Sequence, residues 1–336
     1  MINRGETGEG VKRSGEMRCL RRRELKKVFT TYIGASRPQC VGILGVRRSG
    51  RSSFLKFIAN PDIQRQYLDN IDDFVIIFIE AQRNYLGEVD FLHHLFSVIG
   101  TTGRGDGRVR FADWIKTVSG QQRRAILLID DFHHLSQNAN IKLDFYSYMR
   151  SMANEFPLGL LVTGPKDLYS SVADPALAES PFFNIFNTLN LDTLSPNDCR
   201  EFLIEEMAGD QGENDAVATW ILERAGCYPY TLQVLSDLVA EAGSRALAGD
   251  EKTALSVISR FKNEIADFII EIYDELQDNL KQRFAQRMHN PKSVGLSHSE
   301  LHQLMKAGLL ASAGDSYDLT SPVFEEILKE RIPPPR

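Results

Sequence analysis

The sequence predicts an α/β protein: a parallel sheet between two layers of helices, then an all-helical region and a C-terminal module of helices and a hairpin. Three observations lead to this prediction. Short β-branched runs alternate with amphipathic segments in the first part of the chain, which is typical of βαβ units. The β pattern stops after Leu191-Asp-Thr-Leu-Ser195. Near the C terminus, two short strand-like runs flank Gly314-Asp315, which is a hairpin signal.

Strands and helices alternate regularly in the α/β part. The predicted strands are Cys40–Leu44, Phe74–Ile79, Ala125–Ile129 and Leu158–Thr163. The second and third of these runs are apolar at nearly every position, so we expect both of their faces to be buried. Helices must then cover both sides of the sheet. The segments with helical spacing of apolar residues are Ser52–Ala59, Val89–Gly100, Phe111–Ser119 and Ile141–Glu155.

Composition shifts divide the chain into four predicted segments. They are a basic, poorly ordered leader (1–24), the three-layer αβα domain (25–195), a helical domain (196–265) and a winged-helix domain (266–336). Ser195 is the expected N-cap of the first helix after the boundary, with Pro196 at its first position. Eight basic residues between positions 11 and 27 are either a solvated helix start or a contact for nucleic acid or a partner.

The bulk composition is that of a folded protein in a reducing compartment. The 336 residues carry a net charge of −6, which argues against a whole surface built for polyanions. Four widely spaced cysteines, without a C-x-x-C pair, suit neither a zinc site nor a disulfide framework. The sequence has no apolar stretch of membrane-spanning length and no signal peptide. We therefore expect a cytoplasmic protein.

The clearest chemical motif is Gly45-Val-Arg-Arg-Ser-Gly-Arg-Ser-Ser53, which follows a predicted strand and precedes a predicted helix. It matches the phosphate-loop pattern G-x-x-x-x-G-K-[ST] except at the lysine, where Arg51 stands. The glycines let successive backbone amides point at phosphate oxygens, and the helix adds its positive end. Ser52 stands where a hydroxyl completes a magnesium shell. The alternative is an ordinary turn between a strand and a helix.

A second motif is the buried strand Ala125–Ile129, which ends in Asp130 and Asp131. Carboxylates at the carboxyl end of a parallel strand lie at the edge where open α/β sheets bind ligands. We expect Asp130 to hold magnesium and Asp131 to polarise the attacking water. The alternative is an acidic helix cap. The adjacent histidines His133 and His134 make a poor metal pair and are interpreted as surface or packing residues.

Together these motifs resemble those of STAND and archaeal-type AAA+ ATPases, which have the P-loop NTPase fold. Leu160-Leu-Val-Thr-Gly-Pro165 is similar to the sensor 1 strand of that family, with Thr163 at its tip. The segment from Asn190 to Leu203 resembles the start of the family's helical lid, and Ala225–Gln233 resembles its G-x-P adenine-side motif. Ser297–Leu309 with Tyr317–Pro322 resembles the winged helix that follows the lid.

The resemblance implies ATP or ADP with Mg²⁺ as cofactors and assigns roles to residues. The catalytic candidates are Asp131, Arg51 and Thr163. The nucleotide-binding candidates are Gly45, Arg48, Ser49, Gly50, Arg51, Ser52, Ser53 and Pro229, and the metal candidates are Ser52 and Asp130. At Arg51 a planar guanidinium stands in place of the compact ammonium of the motif's lysine, so any hydrolysis is expected to be slow.

Three functional hypotheses follow from these motifs. The first is an ATP-dependent switch that regulates or assembles with a partner protein on another chain, with homo-oligomers implied by the resemblance. The second is a scaffold that retains nucleotide without hydrolysing it. The third is a DNA-associated ATPase that uses the winged helix and the basic leader.

Overall fold

The computed structural model describes residues 21–101, 103–206, 211–243, 250–290, 295–313 and 316–334. The chain divides into two compact units, one from Arg21 to Leu191 and one from Asp192 onward. Each unit has its own set of buried apolar residues.

The first unit is built on a five-stranded sheet. Its strands are β1 (Cys40–Leu44), β2 (Phe74–Glu80), β3 (Arg124–Asp130), β4 (Leu158–Gly164) and β5 (Phe186–Asn190). They are ordered β2-β3-β4-β1-β5, and every neighbouring pair is parallel. This confirms the predicted α/β class with a parallel sheet. Because β4 lies between β1 and β3, the ends of these three strands are neighbours at one edge.

Helices connect the strands, as parallel pairing requires. The helices of this unit are α1 (Arg22–Lys27, continued by a π-helical turn, Val28–Ile33), α2 (Arg51–Ala59), α3 (Pro61–Tyr67), α4 (Glu88–Ile99), α5 (Gly107–Gly120), α6 (His133–Ser136), α7 (Leu143–Glu155) and α8 (Pro175–Ala178). Single 3₁₀ turns span Ile71–Asp73 and Phe183–Ile185.

The helices cover both faces of the sheet. On one face, α4, α5 and α7 contribute Leu92, Phe111 and Phe145 to a buried cluster that also contains Leu127 and Ile129 of β3. The other β3 side chains project from the opposite face, because successive residues of a strand alternate. There α2 contacts β2, β3 and β4. The three-layer arrangement follows from strands that are apolar on both faces.

In the first unit, the structure differs from the sequence prediction at the edge strand, in several short helices and at the start of the unit. The edge strand β5 is not among the predicted strands, because three of the five residues of Phe186-Asn-Thr-Leu-Asn190 are polar and only Leu189 is buried. The short helices α3, α6 and α8 are also absent from the prediction. Residues 21–24, assigned to the leader, belong to the first unit, since α1 begins at Arg22 and buries Leu25. The remainder of the predicted leader lies outside the described residues.

The second unit is mostly helical. Its elements are α9 (Pro196–Glu206), α10 (Gln211–Ala225), α11 (Pro229–Ala242), α12 (Glu251–Asp274), α13 (Asp278–His289), α14 (His298–Lys306), β6 (Leu310–Ala313), β7 (Ser316–Leu319) and α15 (Pro322–Arg331). Helix α12 buries Phe261, Ile265, Phe268 and Ile272 at helical spacing. The strands β6 and β7 pair in antiparallel fashion, and Gly314-Asp315 between them lies outside the described residues.

The boundary predicted between residues 265 and 266 falls inside α12, which is continuous. The order α13, α14, β6, β7 has the helix, helix, hairpin pattern of a winged helix. The assignment of residues 266–336 as a separate winged-helix domain stays a prediction. Of the helices in the described parts of the chain, none is both long and apolar enough to cross a membrane.

Candidate functional site

The loop between β1 and α2 has a backbone that only certain residues allow. Gly50 has φ 88° and Arg48 has φ 60°, both in the left-handed region. A Cβ atom on Gly45 would lie 2.4 Å from Ser49 Oγ and 2.8 Å from the carbonyl oxygen of Leu191. Gly45 therefore has to be glycine for the loop to close on itself.

The loop leads directly into the N-terminus of α2. Gly50 is the N-cap of this nine-residue helix and supplies no side-chain acceptor for the first-turn amides. Such amides have no acceptor inside a helix and attract anions. Ser49 is 1% exposed, and its Oγ has no hydrogen-bond partner among the described residues. A buried hydroxyl without a partner is costly, so this orphan group fits a loop that binds a polar ligand.

A buried carboxylate faces the first turn of α2. Asp130, at the end of β3, is 2% exposed. Its Oδ1 accepts hydrogen bonds from Ser52 Oγ at 3.2 Å and from Thr163 Oγ1 at 2.5 Å. The structure thus brings together the phosphate loop, the acidic strand end and the tip of β4. A carboxylate and a hydroxyl are oxygen ligands of the kind that Mg²⁺ prefers, so Asp130 and Ser52 fit the metal predicted for them.

Asp131 has a different environment from its neighbour. Its backbone has φ 51°, and its N–H donates to Thr163 Oγ1 at 2.8 Å and to Asp130 Oδ1 at 3.2 Å. Its side chain keeps 30% of its surface exposed and lies 3.8 Å from His133 Nδ1. Asp131 is therefore open to solvent, as a residue that polarises water has to be, while Asp130 is enclosed.

Arg51 turns back onto its own loop. Its Nη1 donates to the carbonyl oxygen of Gly45 at 2.8 Å. The guanidinium is thus held beside the loop that it is predicted to assist. Burial and the neighbouring His134 are the main causes that lower the pKa of His133. The positive charges of Arg51 and Arg83 lower this pKa further, whereas the carboxylate of Asp131 opposes the shift. His133 is consequently neutral at pH 7.

The remaining predicted residues are placed less centrally. Arg48 and Ser53 belong to the loop and the first turn of α2, and both are exposed. Pro229 is the first residue of α11 in the second unit. The nucleotide-binding roles of these three residues stay predictions.

One residue that contacts the phosphate loop, Arg21, belongs to no sequence motif. Arg21 is 5% exposed, and its Nη2 donates to the carbonyl oxygen of Ser49 at 3.3 Å. Its Nη1 lies 3.6 Å from Glu24. In the sequence Arg21 is the first of three consecutive arginines, and the other two are exposed. Only the packing of α1 distinguishes it.

The rings of the two histidines after β3 lie next to each other. Their ring centroids are 4.2 Å apart. His134 Nδ1 is 2.8 Å from the carbonyl oxygen of Ala81, and His134 Nε2 accepts from Arg83 Nε at 3.0 Å. The described residues contain no group of three or more His, Cys, Asp or Glu side chains that would hold a metal ion.

A glycine loop that joins a parallel strand to a helix and faces a buried aspartate defines the class, and the chain is a P-loop NTPase of the STAND/AAA+ type. Within that class it belongs to the family described as Novel STAND NTPase 2, whose model matches residues 35–250. No curated protein sequence matches the chain.

Solved structures with the same fold support this classification. The ORC2 protein of Aeropyrum pernix, in ADPNP-ADP complexes, is 13% identical with a TM-score of 0.55, and the match covers 92% of this chain and 93% of that one. A Walker-type ATPase of Pyrococcus abyssi is 14% identical with a TM-score of 0.50, covering 91% and 94% of the two chains. At these identities the likeness is one of fold.

Proposed function

We propose that this chain is an ATP-binding molecular switch that holds Mg²⁺–ATP at the loop 45–53 and regulates or assembles with a partner protein. The observation that carries the proposal is that Ser52 and Thr163 both donate hydrogen bonds to Asp130. These residues lie beside the loop that leads into the N-terminus of α2. The solved ORC2 structure, which is an ADPNP-ADP complex, supports adenine nucleotide as the ligand.

A switch needs two states that bind the ligand differently. Pro229 at the start of α11 is the residue through which we expect the second unit to engage the adenine side of the nucleotide. ATP and ADP would then stabilise different positions of this unit and expose or hide a surface for the partner. The partner is expected on a separate polypeptide or as another copy of this chain.

Titration calorimetry with ATP tests nucleotide binding. Wild type should bind ATP more tightly with Mg²⁺ than without it. Asp130→Asn, which keeps an acceptor oxygen but removes the charge that attracts the metal, should lose this gain. Asp113→Asn on the exposed face of α5 is the matched control and should behave like wild type. Absence of binding by wild type at millimolar ATP would remove the proposal.

Hydrolysis is a separate part of the proposal. Arg51 is hydrogen-bonded to the carbonyl oxygen of Gly45, and the side chain of Asp131 is short. Both features favour slow hydrolysis of ATP. Single-turnover phosphate release measures it directly. Release that disappears in Asp131→Asn supports slow hydrolysis, whereas no release by wild type that binds ATP supports the scaffold that retains its nucleotide.

A second candidate, a DNA-associated ATPase, is favoured by one surface. Helix α1 exposes Arg22, Arg23, Lys26 and Lys27. The exposed positions of α14 in the predicted winged helix carry only one formal charge, Lys306. DNA retention that falls steeply with salt, and that Arg23→Gln with Lys27→Gln weakens, would establish this candidate. Salt-independent or absent retention would exclude it.

A further inference from the structure

A polar cavity lies beside the nucleotide site, on the β2 side of Asp131. Its volume is about 590 Å³, which is in the range of small-molecule sites. The described residues that line it are Arg83, Tyr85, His133, His134, Gln137, Asn138, Ala139 and Asn140. They come from the segments that follow β2 and β3. This set contains one arginine, two histidines and three amide side chains, and no carboxylate.

The arginine of this cavity is oriented by a defined chain of hydrogen bonds. The carbonyl oxygen of Ala81 can only accept, so the 2.8 Å contact requires His134 Nδ1 to carry the proton. His134 Nε2 is then the acceptor for Arg83 Nε at 3.0 Å. With Nε engaged, the two terminal Nη atoms of Arg83 form the end-on fork, and they have no partner among the described residues.

Two further lining residues, Asn138 and Tyr85, are also held in place. Asn138 Nδ2 donates to the carbonyl oxygen of Tyr85 at 2.7 Å, and Asn138 Oδ1 accepts from the backbone N–H of Asn140 at 2.9 Å. Tyr85 is buried, and its hydroxyl contacts His94 Nδ1 at 2.6 Å. Four of the lining residues, Arg83, His134, Tyr85 and Asn138, are thus held in place by hydrogen bonds within the protein.

We infer that this cavity binds a small organic anion, whose carboxylate or phosphate group is held by the terminal Nη atoms of Arg83. A planar fork of two N–H donors matches carboxylate and phosphate oxygens in pairs. The lining supplies one positive charge without a compensating carboxylate. The volume exceeds that of a bare phosphate ion. The side-chain amide of Asn140 and the Oε1 of Gln137, whose Nε2 donates to Ser171, lie at its wall for the polar part of a larger molecule.

This ligand would act on the nucleotide site through His133. The ring lines the cavity, and its Nδ1 lies 3.8 Å from Asp131 Oδ1. The backbone N–H of Asp131 is in turn bound to Thr163 and Asp130. The role of the anion as the signal of the switch rests on the proposed function, whereas its binding to the cavity does not.

Histidine NMR tests the binding. The probes are inorganic phosphate and succinate, added to protein with isotope-labelled histidine, and the readout is displacement of the His133 and His134 ring signals. Wild type should respond to at least one probe. Arg83→Gln should raise the dissociation constant roughly tenfold or more, and Arg83→Lys, which keeps the charge but loses the fork, should fall between them.

Two controls separate this site from the phosphate loop. Arg65→Gln removes an exposed arginine on α3 and should leave the response unchanged. Arg51→Gln should leave the dissociation constant of the probe unchanged, since Arg51 does not line the cavity, although its charge affects the pKa of His133. No displacement with either probe overturns the inference, as does a response that Arg51→Gln removes and Arg83→Gln retains. ATP titration of Arg83→Gln reports on the proposed function independently.

Discussion

At the scale of single residues, adjacent aspartates at the end of β3 have different environments. Asp130 is buried and receives hydrogen bonds from Ser52 and Thr163, whereas Asp131 retains 30% exposure. Alternation along the chain is the reason, since successive residues point in opposite directions and the left-handed backbone of Asp131 turns the chain at that position. The sequence assigned the two roles, and their geometry is compatible with the assignment.

Thr163 connects the two aspartates, and Thr163→Val is expected to destabilise the protein. The hydroxyl donates to Asp130 Oδ1 and accepts from the backbone N–H of Asp131. Valine has nearly the same volume but leaves both groups without this partner, at a cost of about 2 kcal/mol. Urea unfolding measures the change in the free energy of unfolding.

Thr117→Val on the exposed face of α5 is the matched control, because among the described residues the Thr117 hydroxyl bonds to the carbonyl of Asp113 alone. It should change the free energy of unfolding by less than about 0.5 kcal/mol. Thr163→Ser keeps the hydroxyl and should restore most of the loss. Equal effects of the two valine substitutions would contradict the role given to Thr163.

At the scale of secondary-structure elements, the sequence predicts the strands and helices that have strong hydrophobic patterns and misses those that have weak ones. The strands β1 to β4 and helices α2, α4, α5 and α7 follow from apolar runs and helical spacing. The strand β5 pairs only with β1 at the edge of the sheet, so only part of it has to be apolar. Its position is decided by the neighbouring strand and not by its own composition.

Arg21, the N-cap residue of α1, contacts the phosphate loop at the carbonyl oxygen of Ser49. This contact makes Arg21 a positioning residue for the loop. Arg21→Ala removes the donor to the Ser49 carbonyl and leaves that loop less constrained. We expect the dissociation constant for ATP to rise roughly tenfold, the usual effect of losing a hydrogen bond to a charged group. Titration calorimetry with Mg²⁺–ATP measures it.

Arg23→Ala is the control for this prediction, because Arg23 lies on α1, whose N-cap is Arg21, and is exposed. Its ATP affinity should equal that of wild type. Arg21→Lys keeps the charge and should recover part of the affinity. If Arg21→Ala binds ATP as tightly as Arg23→Ala does, α1 does not position the loop.

At the scale of the whole molecule, each compact unit contains one tryptophan. Trp114 lies on α5 of the first unit and Trp220 on α10 of the second. The variants Trp220→Phe and Trp114→Phe therefore report the unfolding of one unit each. ATP at about one hundred times its dissociation constant adds about 2.7 kcal/mol to the free energy of unfolding of whatever binds it.

The proposed switch predicts that ATP raises the unfolding midpoints reported by both tryptophans, since the second unit is expected to engage the nucleotide. Fluorescence-detected thermal unfolding of the two variants, with and without Mg²⁺–ATP, makes the comparison. A shift confined to Trp114 would show that nucleotide acts on the first unit alone and would count against the switch. Asp130→Asn in each background should abolish the Mg²⁺-dependent part of the shift.

The sequence alone determined the parallel α/β class, the phosphate loop and the acidic strand end, because these depend on local patterns: apolar periodicity, glycine spacing and a polar residue at the end of a strand. The tertiary structure decided what depends on packing between distant segments. It brought Thr163 between the two motifs, placed Arg21 against the loop and joined Arg83 to His134 beside a cavity. Such neighbours have no fixed separation along the chain, so no spacing in the sequence indicates them.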